Sequence, residues 1–397
     1  MNRIDKDRPS PQWIASLRRR YPTEMEIDRI LTRRLGRRAG PGYSPVALDV
    51  LVQGVDALIR SQHAGKFEIS DARWLSGGAS KLQMSFTLDW DRPGAGRERT
   101  RMVLRMEPAE SIVETSRLRE FQLIRAVQSV VPVPPVFWCD AHGEFLPYPA
   151  LIYGFASGVT KPTQATSGVS GVGTRMPDEV RRKLIPQFVD HLARIHAFDY
   201  RSADLSAFDV PEAGTQCALW GINWWERVWE EDNEEDAPLM RLASAWLRRN
   251  LPRLDQPTLV HADYRVGNFL FTEPDMKVSA WLDWELGRIG DPHQDLAWTA
   301  SKAFCSRDDD GTPLICGLMP EAEFFDRYEQ ASGRRIDRRT LHWYKVYNAY
   351  MIAVLTLGTG FRIAHNGKTH QDILVAWLSG IGAMLMDDMR SLIEQGA

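Results

Sequence analysis

The pattern of apolar and polar positions divides the chain into a helical beginning, a strand-rich stretch and a long, mostly helical remainder. Within residues 1–66, apolar side chains recur every three or four positions in two stretches, which predicts two helices. Thr23, followed three residues later by Glu26, is expected to cap the first of them. Residues 67–155 favour strands, interrupted by one helix over residues 116–130.

The strand-rich stretch is predicted to form a small antiparallel sheet. Residues 82–90 and 100–106 flank a turn rich in Gly and Pro at residues 91–96, as expected of a hairpin. Residues 136–138 and 150–155 predict two further strands.

The remainder of the chain is predicted to be helical apart from one hairpin near residues 269–283. Residues 160–174 are rich in Gly, Ser and Thr and are expected to form a loop. Because the strands and most of the helices are segregated instead of alternating, the predicted fold class is α+β. We expect a helical N-terminal extension over residues 1–66, a sheet-containing lobe over 67–155 and a helical lobe over 156–397.

Composition narrows the class of protein. The 397 residues carry a net charge of −3, which provides no general attraction for nucleic acid. No apolar run approaches the ~20 residues of a membrane helix, and the charged first residues do not resemble a signal peptide. The four cysteines are scattered without a C-x-x-C pair, which argues against a disulfide framework and a zinc site. We therefore expect a cytoplasmic protein, of an oligomeric state that the sequence leaves open.

Charge and tryptophan are distributed unevenly. Residues 1–40 contain 11 Lys and Arg against 5 Asp and Glu, a net of +6. Such a segment is an arm that grips an acidic partner or, more commonly, a solvated amphipathic helix packed on the body of the protein. The acidic run Glu230–Asp236 is typical of a solvated face. Four tryptophans at helical spacing over residues 220–229 indicate core packing, with an aromatic substrate wall as the alternative.

The densest group of chemically distinctive residues lies between two apolar segments, in His261–Asn268. Asp263 and Asn268 are separated by four residues, as in the His-x-Asp-x-x-x-x-Asn loop of phosphoryl-transfer enzymes. In such a loop the Asp accepts the proton of the substrate hydroxyl, and the Asn supplies an oxygen to Mg²⁺. Taken alone the motif is weak, and a hydrogen-bonded turn is the alternative.

The segment after this loop strengthens the hypothesis. A hairpin that begins at Asn268 would return Asp283 to its side, so that two oxygen ligands meet. Glu285 follows two residues later, and Asp291 is placed to cap the next helix.

Together these motifs resemble the aminoglycoside phosphotransferase (choline kinase-like) family of the protein-kinase-like fold. The matching segments are His261–Asn268, Leu282–Glu285 and Gly290–Ala297, and the resemblance covers roughly residues 70–390. It is closest to the branch that includes kinase-like domains fused to acyl-CoA dehydrogenases. The resemblance implies a two-lobed fold, ATP or GTP with Mg²⁺ in the cleft between the lobes, and a small-molecule substrate.

The resemblance also implies roles for individual residues. The catalytic residues would be Asp263 and Arg265, and the metal ligands Asn268, Asp283 and, in an assisting role, Glu285. The nucleotide would be bound by Gly77, Gly78, Ser80, Arg105, Glu120, Gly154 and Phe155. Arg105 stands where kinases place a phosphate-holding Lys, Glu120 would pair with it, and Gly154 replaces an acidic residue. His196 is expected to provide structural support.

The residues by themselves leave blander alternatives open. The glycine-rich segment at 76–80 could be an ordinary hairpin turn, Arg105 a solvent-facing strand residue, and Glu120 a surface helix residue. The expected phosphate acceptor is a hydroxyacyl-CoA or another hydroxylated metabolite. An aminoglycoside-type antibiotic, held by acidic residues such as those of Glu230–Asp236, is one alternative, and a nucleotide-binding pseudokinase scaffold is another.

Overall fold

A computed structural model describes residues 4–75, 80–162 and 173–396. It contains one five-stranded antiparallel sheet followed by a mostly helical region, so the predicted α+β, two-lobed architecture is confirmed. Gly77 and Gly78, together with most of the predicted loop over residues 160–174, lie outside the described residues.

The elements follow the predicted order, with one helix, at Pro11–Arg20, in addition to the two predicted within residues 1–66. The helices are α1 (Pro11–Arg20), α2 (Met25–Arg37), α3 (Leu48–Gln62), α4 (Arg117–Val127), α5 (Asp178–Ala197), α6 (Gln216–Asp232), α7 (Pro238–Arg249), α8 (His293–Thr299), α9 (Glu321–Ser332), α10 (Arg338–Ala353), α11 (Phe361–His365) and α12 (Asp372–Gln395). The strands are β1 (Phe67–Trp74), β2 (Leu82–Arg92), β3 (Gly96–Met106), β4 (Val136–Asp140), β5 (Ala150–Gly154), β6 (Thr258–Val260), β7 (Phe269–Thr272), β8 (Lys277–Trp281), β9 (Arg288–Gly290), β10 (Ser306–Arg307) and β11 (Pro313–Leu314).

The sheet of the first lobe has the strand order β1-β2-β3-β5-β4. Side chains alternate across it, so Met84, Phe86 and Leu88 of β2 share one face. That face packs against Leu51 and Leu58 of α3, and all five side chains are buried. Each such side chain contributes roughly 1.5–3 kcal/mol when fully buried. Helix α4 packs against β4 and β5 and covers part of the sheet.

Two local predictions were wrong. Helix α2 begins at Met25 after Glu24, and Thr23 does not cap it, because its hydroxyl donates instead to the carbonyl of Trp220 at 3.3 Å. The helical lobe also holds two short sheets besides the predicted hairpin, β6 with β9 and β10 with β11. Strands of two or three residues carry too few positions to show an alternating pattern.

The tryptophans of α6 lie largely in the core, as predicted. Trp224 and Trp225 are buried and stacked with ring centroids 4.7 Å apart. The Trp225 indole donates to the hydroxyl of Tyr347 on α10 at 2.9 Å, and Trp220 and Trp229 are half-buried. Within the described ranges, the helices are all too short or too polar to span a membrane.

The acidic run does not form a solvated face throughout. Glu231 and Asp232 are buried, whereas Glu234, Glu235 and Asp236 are exposed. That prediction was therefore wrong for the first part of the run. Three arginines pair with the buried carboxylates. Arg34 pairs with both Glu231 and Asp232, whereas Arg38 and Arg362 pair with Asp232. Arg34 and Arg38 belong to the basic N-terminal segment, and Arg362 belongs to α11.

The basic N-terminal segment thus has an acidic partner within the same chain. Arg34 lies 2.5 Å from Glu231 and 3.0 Å from Asp232, and Arg20 lies 2.7 Å from Glu230. In the folded chain, positive charge of the N-terminal segment therefore lies beside negative charge of the acidic run.

We expect Asp232→Asn to destabilise the protein by about 3–5 kcal/mol, because it leaves buried arginines without a counter-charge. Burial opposes ionisation of Asp232, but Arg34, Arg38 and Arg362 outweigh burial and hold its pKa below the ordinary value. The stabilisation is therefore present above about pH 4 and lost as the pH falls through the lowered pKa. Urea denaturation at neutral and acidic pH measures both effects.

Asp236→Asn is the matched control, since Asp236 belongs to the same acidic run but is exposed. It should change the free energy of unfolding by less than about 0.5 kcal/mol. Equal effects of the two substitutions would contradict the role of Asp232.

Candidate active site

The loop between β6 and β7 is held by a carboxylate from α8. Asp295 accepts the backbone N–H groups of His261 at 2.9 Å and Ala262 at 2.7 Å. Ala262 has φ of +63°, a conformation that costs a non-glycine residue free energy unless its surroundings impose it. His196 Nε2 lies 3.1 Å from Asp295, and the Tyr328 hydroxyl 2.8 Å from His196 Nδ1. The structural role predicted for His196 is confirmed.

His261 joins this loop to the strand that precedes Asp283. Its Nε2 lies 3.0 Å from the Leu282 carbonyl, which can only accept, so Nε2 carries the proton. Nδ1 then accepts the Asp263 N–H at 3.2 Å. Burial lowers the pKa of His261, in keeping with a neutral ring. The hairpin closes as predicted, with Leu282 N–H donating to the Asn268 carbonyl at 2.8 Å.

The Asp263 carboxylate is fixed by three donors. One oxygen accepts from Trp298 Nε1 at 2.7 Å and Arg265 Nε at 2.9 Å, and the other from Asn268 Nδ2 at 2.5 Å. A carboxylate has about four acceptor positions, so one remains, on the oxygen bonded to Asn268. Burial raises the pKa of Asp263 above its ordinary value, although Arg265 acts in the other direction.

A cavity of about 130 Å³ separates this loop from the sheet. The first lobe contributes Gln83, Arg105, Glu120, Ile124, Pro134 and Tyr153 to its walls. The second lobe contributes Gly267, Asn268, Trp281, Leu282 and Asp283. The structure therefore brings predicted metal-binding and nucleotide-binding residues together at one cleft.

Arg105 lies inside this cleft and does not face solvent, since its side chain is only 7% exposed. Its Nε is 3.3 Å from Glu120 Oε1, so the predicted pair is present. Its Nη2 contacts Asp283 and lies 3.4 Å from Glu285 Oε1. The surrounding carboxylates outweigh burial and raise the pKa of Arg105 well above its ordinary value.

Glu285 is buried among cations. Its Oε2 lies 2.9 Å from Lys81 Nζ and 3.0 Å from Arg117 Nη2, and its Oε1 accepts from the Ser80 hydroxyl at 2.9 Å. Burial opposes its ionisation, but the positive charges of Lys81, Arg105 and Arg117 hold the pKa of Glu285 below its ordinary value. Both oxygens are thus occupied within the protein, and the assisting metal role of Glu285 stays a prediction.

The sequence interpretation assigned no role to several residues of this region: Lys81, Glu107, Arg117, Trp298 and Asp295, the last of which lies in a segment that matches the family. Arg117 precedes Glu120 by three residues on α4, a spacing that could have signalled a helical ion pair. The others come from distant segments, and their side chains converge only in the folded chain. Asp291 behaves as expected, accepting the N–H of His293 at 2.9 Å at the start of α8.

The predicted metal ligands fit a magnesium ion in their chemistry. The amide N–H of Asn268 donates to Asp263, so the side-chain carbonyl oxygen of Asn268 is the atom that could bind a metal. The Asp283 side chain lines the same cavity and is 31% exposed. Across the described residues, no group of three or more His, Cys, Asp or Glu is arranged to hold a metal by itself. Two hard oxygen ligands suit a Mg²⁺ ion whose coordination is completed by phosphate and water.

The end of β5, where the chain passes from one lobe to the other, restricts which backbone groups could bind a nucleotide base. Gly154 N–H donates to the Pro135 carbonyl and Phe155 N–H to the Arg101 carbonyl, each at 2.8 Å. A base bound here would therefore use a carbonyl oxygen or a later N–H group. A Cβ at Gly154 would lie 3.0 Å from Pro135 Cγ, which leaves little room for a side chain at this position.

Comparison with known sequences gives a consistent result. A profile of the phosphotransferase enzyme family matches residues 75–344, more than half of the chain. Acyl-CoA dehydrogenase family member 10 of Mus musculus is 26% identical over 245 residues, which is 57% of this chain and 21% of that protein. The chain therefore corresponds to only about a fifth of the length of this relative.

Solved structures share the fold. A candidate aminoglycoside phosphotransferase from Ralstonia eutropha superposes with a TM-score of 0.62 at 21% identity, over 87% of this chain and 98% of that one. A thermostable mutant of an aminoglycoside phosphotransferase, in a ternary complex with ADP and hygromycin B, has a TM-score of 0.52 at 17% identity, over 86% of this chain and 98% of that one.

We expect Glu285→Gln to destabilise the protein in the absence of nucleotide and Mg²⁺, by about 3 kcal/mol, because Lys81 and Arg117 lose a buried counter-charge. Asp283→Asn is the control, and its cost should be smaller because the Asp283 side chain is 31% exposed. Urea denaturation of the ligand-free protein measures both. A Glu285 variant as stable as the parent would indicate that the carboxylate serves bound metal instead of the fold.

Proposed function

The chain belongs to the phosphotransferase enzyme family, and we propose that it transfers the γ-phosphoryl group of ATP to a hydroxyl group of a small molecule, with Mg²⁺. The observation that carries this proposal is the meeting of Asn268, Asp283 and Arg105 at one cavity, where the amide group of Asn268 also holds the Asp263 carboxylate. Phosphoryl transfer needs a group that orients the acceptor, oxygen ligands for the metal, and a cation near the phosphates.

Asp263 would orient the acceptor and take its proton. Three donors fix the carboxylate, and one acceptor position stays available on the oxygen bonded to Asn268. The acceptor hydroxyl would donate to that position, and its proton would move there as the oxygen attacks phosphorus. Trp298 and Arg265 keep the other oxygen from turning toward the substrate.

Asn268 and Asp283 would hold the metal, and Arg105 the phosphates. A bound Mg²⁺ would supply positive charge that offsets the charge of the transferred group. Arg105 keeps Glu120 as a lasting partner in the cleft, so the guanidinium is oriented before nucleotide binds. An arginine presents a planar fork of donors, which suits phosphate oxygens as well as the usual lysine does. Whether the donor is ATP or GTP is decided by contacts with the base.

A pseudokinase scaffold is disfavoured by the same residues. Such a protein has no need for a catalytic carboxylate, and Asp263 is fixed by three donors with one position left available. The departure at Arg105 does not indicate lost function, because the residue is buried and paired with Glu120 as the usual lysine would be.

The proposed acceptor is a hydroxyacyl-CoA or a related hydroxylated metabolite. One matching relative is named an acyl-CoA dehydrogenase family member, which supports a link to acyl-CoA metabolism. The aminoglycoside alternative would use acidic residues to hold a polycationic sugar. Glu231 and Asp232 are occupied by arginines of the same chain, so they are not available for that purpose.

We expect Asp263→Asn to lower kcat by at least ~10²-fold while nucleotide binding persists, because only proton transfer and acceptor orientation are lost. Asp283→Ala should instead abolish the Mg²⁺-dependent part of nucleotide binding. Calorimetry with and without Mg²⁺, together with a steady-state phosphotransfer assay, separates the two effects.

Asp275→Asn is a matched control, since Asp275 lies in the exposed turn between β7 and β8 and away from the cavity. It should leave both measurements unchanged. Near-normal turnover by Asp263→Asn would remove this residue from the catalytic role, and equal affinity with and without Mg²⁺ in the parent protein would remove Asp283 from the metal site.

A phosphotransfer screen with ATP and Mg²⁺ tests the acceptor. We expect kcat/KM to be highest for a hydroxyacyl-CoA among hydroxyacyl-CoAs, amino sugars of the kanamycin type and amino alcohols. A strong preference for the amino sugar would overturn the proposed acceptor and leave the phosphotransfer mechanism in place. Phosphate transfer to none of these classes, despite nucleotide binding, would support the scaffold alternative.

A further inference from the structure

The helix α2 lies outside the segment matched by the family profile, yet it contacts both lobes. On the side of the second lobe, Arg34 pairs with Glu231 and Asp232, and Arg227 Nη1 lies 2.6 Å from Asp28. These carboxylates and guanidinium groups are mostly buried, so the contacts cannot be exchanged freely for water.

On the side of the first lobe, the same segment contacts the first turn of α4. Glu24 accepts from Arg119 Nη1 at 2.7 Å, and both side chains are buried. Glu26 accepts from the hydroxyl of Ser116, the residue that caps α4. Arg33 lies 3.2 Å from Glu114, just before this cap.

Helix α4 carries Glu120, which pairs with Arg105 in the cleft. Because a helix moves largely as a unit, the position of its first turn sets the position of Glu120. The second lobe also holds this turn, since Arg119 Nη2 donates to the Gly287 carbonyl at 3.4 Å. A Cβ at Gly287 would lie only 2.4 Å from Leu123, so α4 packs closely on the segment that follows Asp283.

We propose that residues 24–38 form a strut that holds α4 against the second lobe, and that Glu24 and Glu26 are positioning residues for the Arg105–Glu120 pair. The inference rests on the proposed role of the cavity as a nucleotide site. Without the strut, α4 keeps its contacts with the sheet but loses the buried partners of its first turn.

The test compares Glu24→Gln and Glu26→Gln with Glu230→Gln. The control removes a carboxylate that binds the same extension through Arg20 but does not contact α4. Hydrogen exchange of a peptide spanning residues 117–127 reports the position of α4 without any ligand. Calorimetry with MgADP reports the nucleotide site.

We expect faster exchange of α4 and an increase in the Kd for MgADP of about five- to tenfold in the first two variants, a typical size for coupling between sites. Glu230→Gln should change neither. The KM for the acceptor should stay constant in all three, because the strut does not contact the catalytic loop. A general loss of folding can be distinguished from these effects, since it would accelerate exchange throughout the chain.

A double-mutant cycle guards against simple destabilisation. The substitution Ser116→Ala removes the hydroxyl that donates to Glu26. The Kd of the double variant Glu26→Gln/Ser116→Ala should therefore not exceed that of the weaker-binding single variant by more than about twofold. Fully additive effects, or unchanged exchange of α4 in Glu24→Gln, would overturn the strut. If the parent protein binds no MgADP, the proposed function fails, whereas the exchange measurement still decides whether the strut holds α4.

Discussion

The pairing of buried charges at the junction of the lobes is the interaction on which the site depends. Three cations, Lys81, Arg105 and Arg117, meet three carboxylates, Glu107, Glu120 and Glu285, in a region from which water is largely excluded. Taking a charge out of water costs several kcal/mol, so each member is tolerated only because its partners are in place. The cluster joins the residue before β2, the end of β3 and α4 to the segment after Asp283, and thereby sets how the two lobes face each other.

The same constraint operates at the N-terminal extension. Asp232 is buried beside three arginines from two parts of the chain, and Arg362 also contacts Glu110, in the segment between β3 and α4. Part of the positive charge of the first forty residues is therefore neutralised within the molecule. Arg34 and Arg38 tie the extension to the second lobe and Arg33 ties it to the segment before α4, whereas Arg18 and Arg19 are exposed.

The loop between β6 and β7 depends instead on backbone hydrogen bonds. Its left-handed residue Ala262 would be unfavourable in isolation, but Asp295 accepts two successive N–H groups there and holds the turn. His261 then ties the loop to Leu282, so that Asp263, Asn268 and Asp283 are oriented by one connected network. A site built in this way is organised before any ligand binds, which is what phosphoryl transfer requires of the protein.

Local patterns in the sequence determined the fold class, the helices and strands of the sheet lobe, and the convergence of Asn268 with Asp283. Those features follow from periodicity and from a single short hairpin, which involve neighbours along the chain. Which charged side chains are buried, and which partners they have, was decided only by the tertiary structure. A run of acidic residues looks the same in sequence whether it faces water or, like Glu231 and Asp232, faces arginines some two hundred residues away. Likewise Glu285 lies two residues from Asp283 in the chain, but the cations around it come from the residue before β2, from β3 and from α4, and long-range packing alone brings them there.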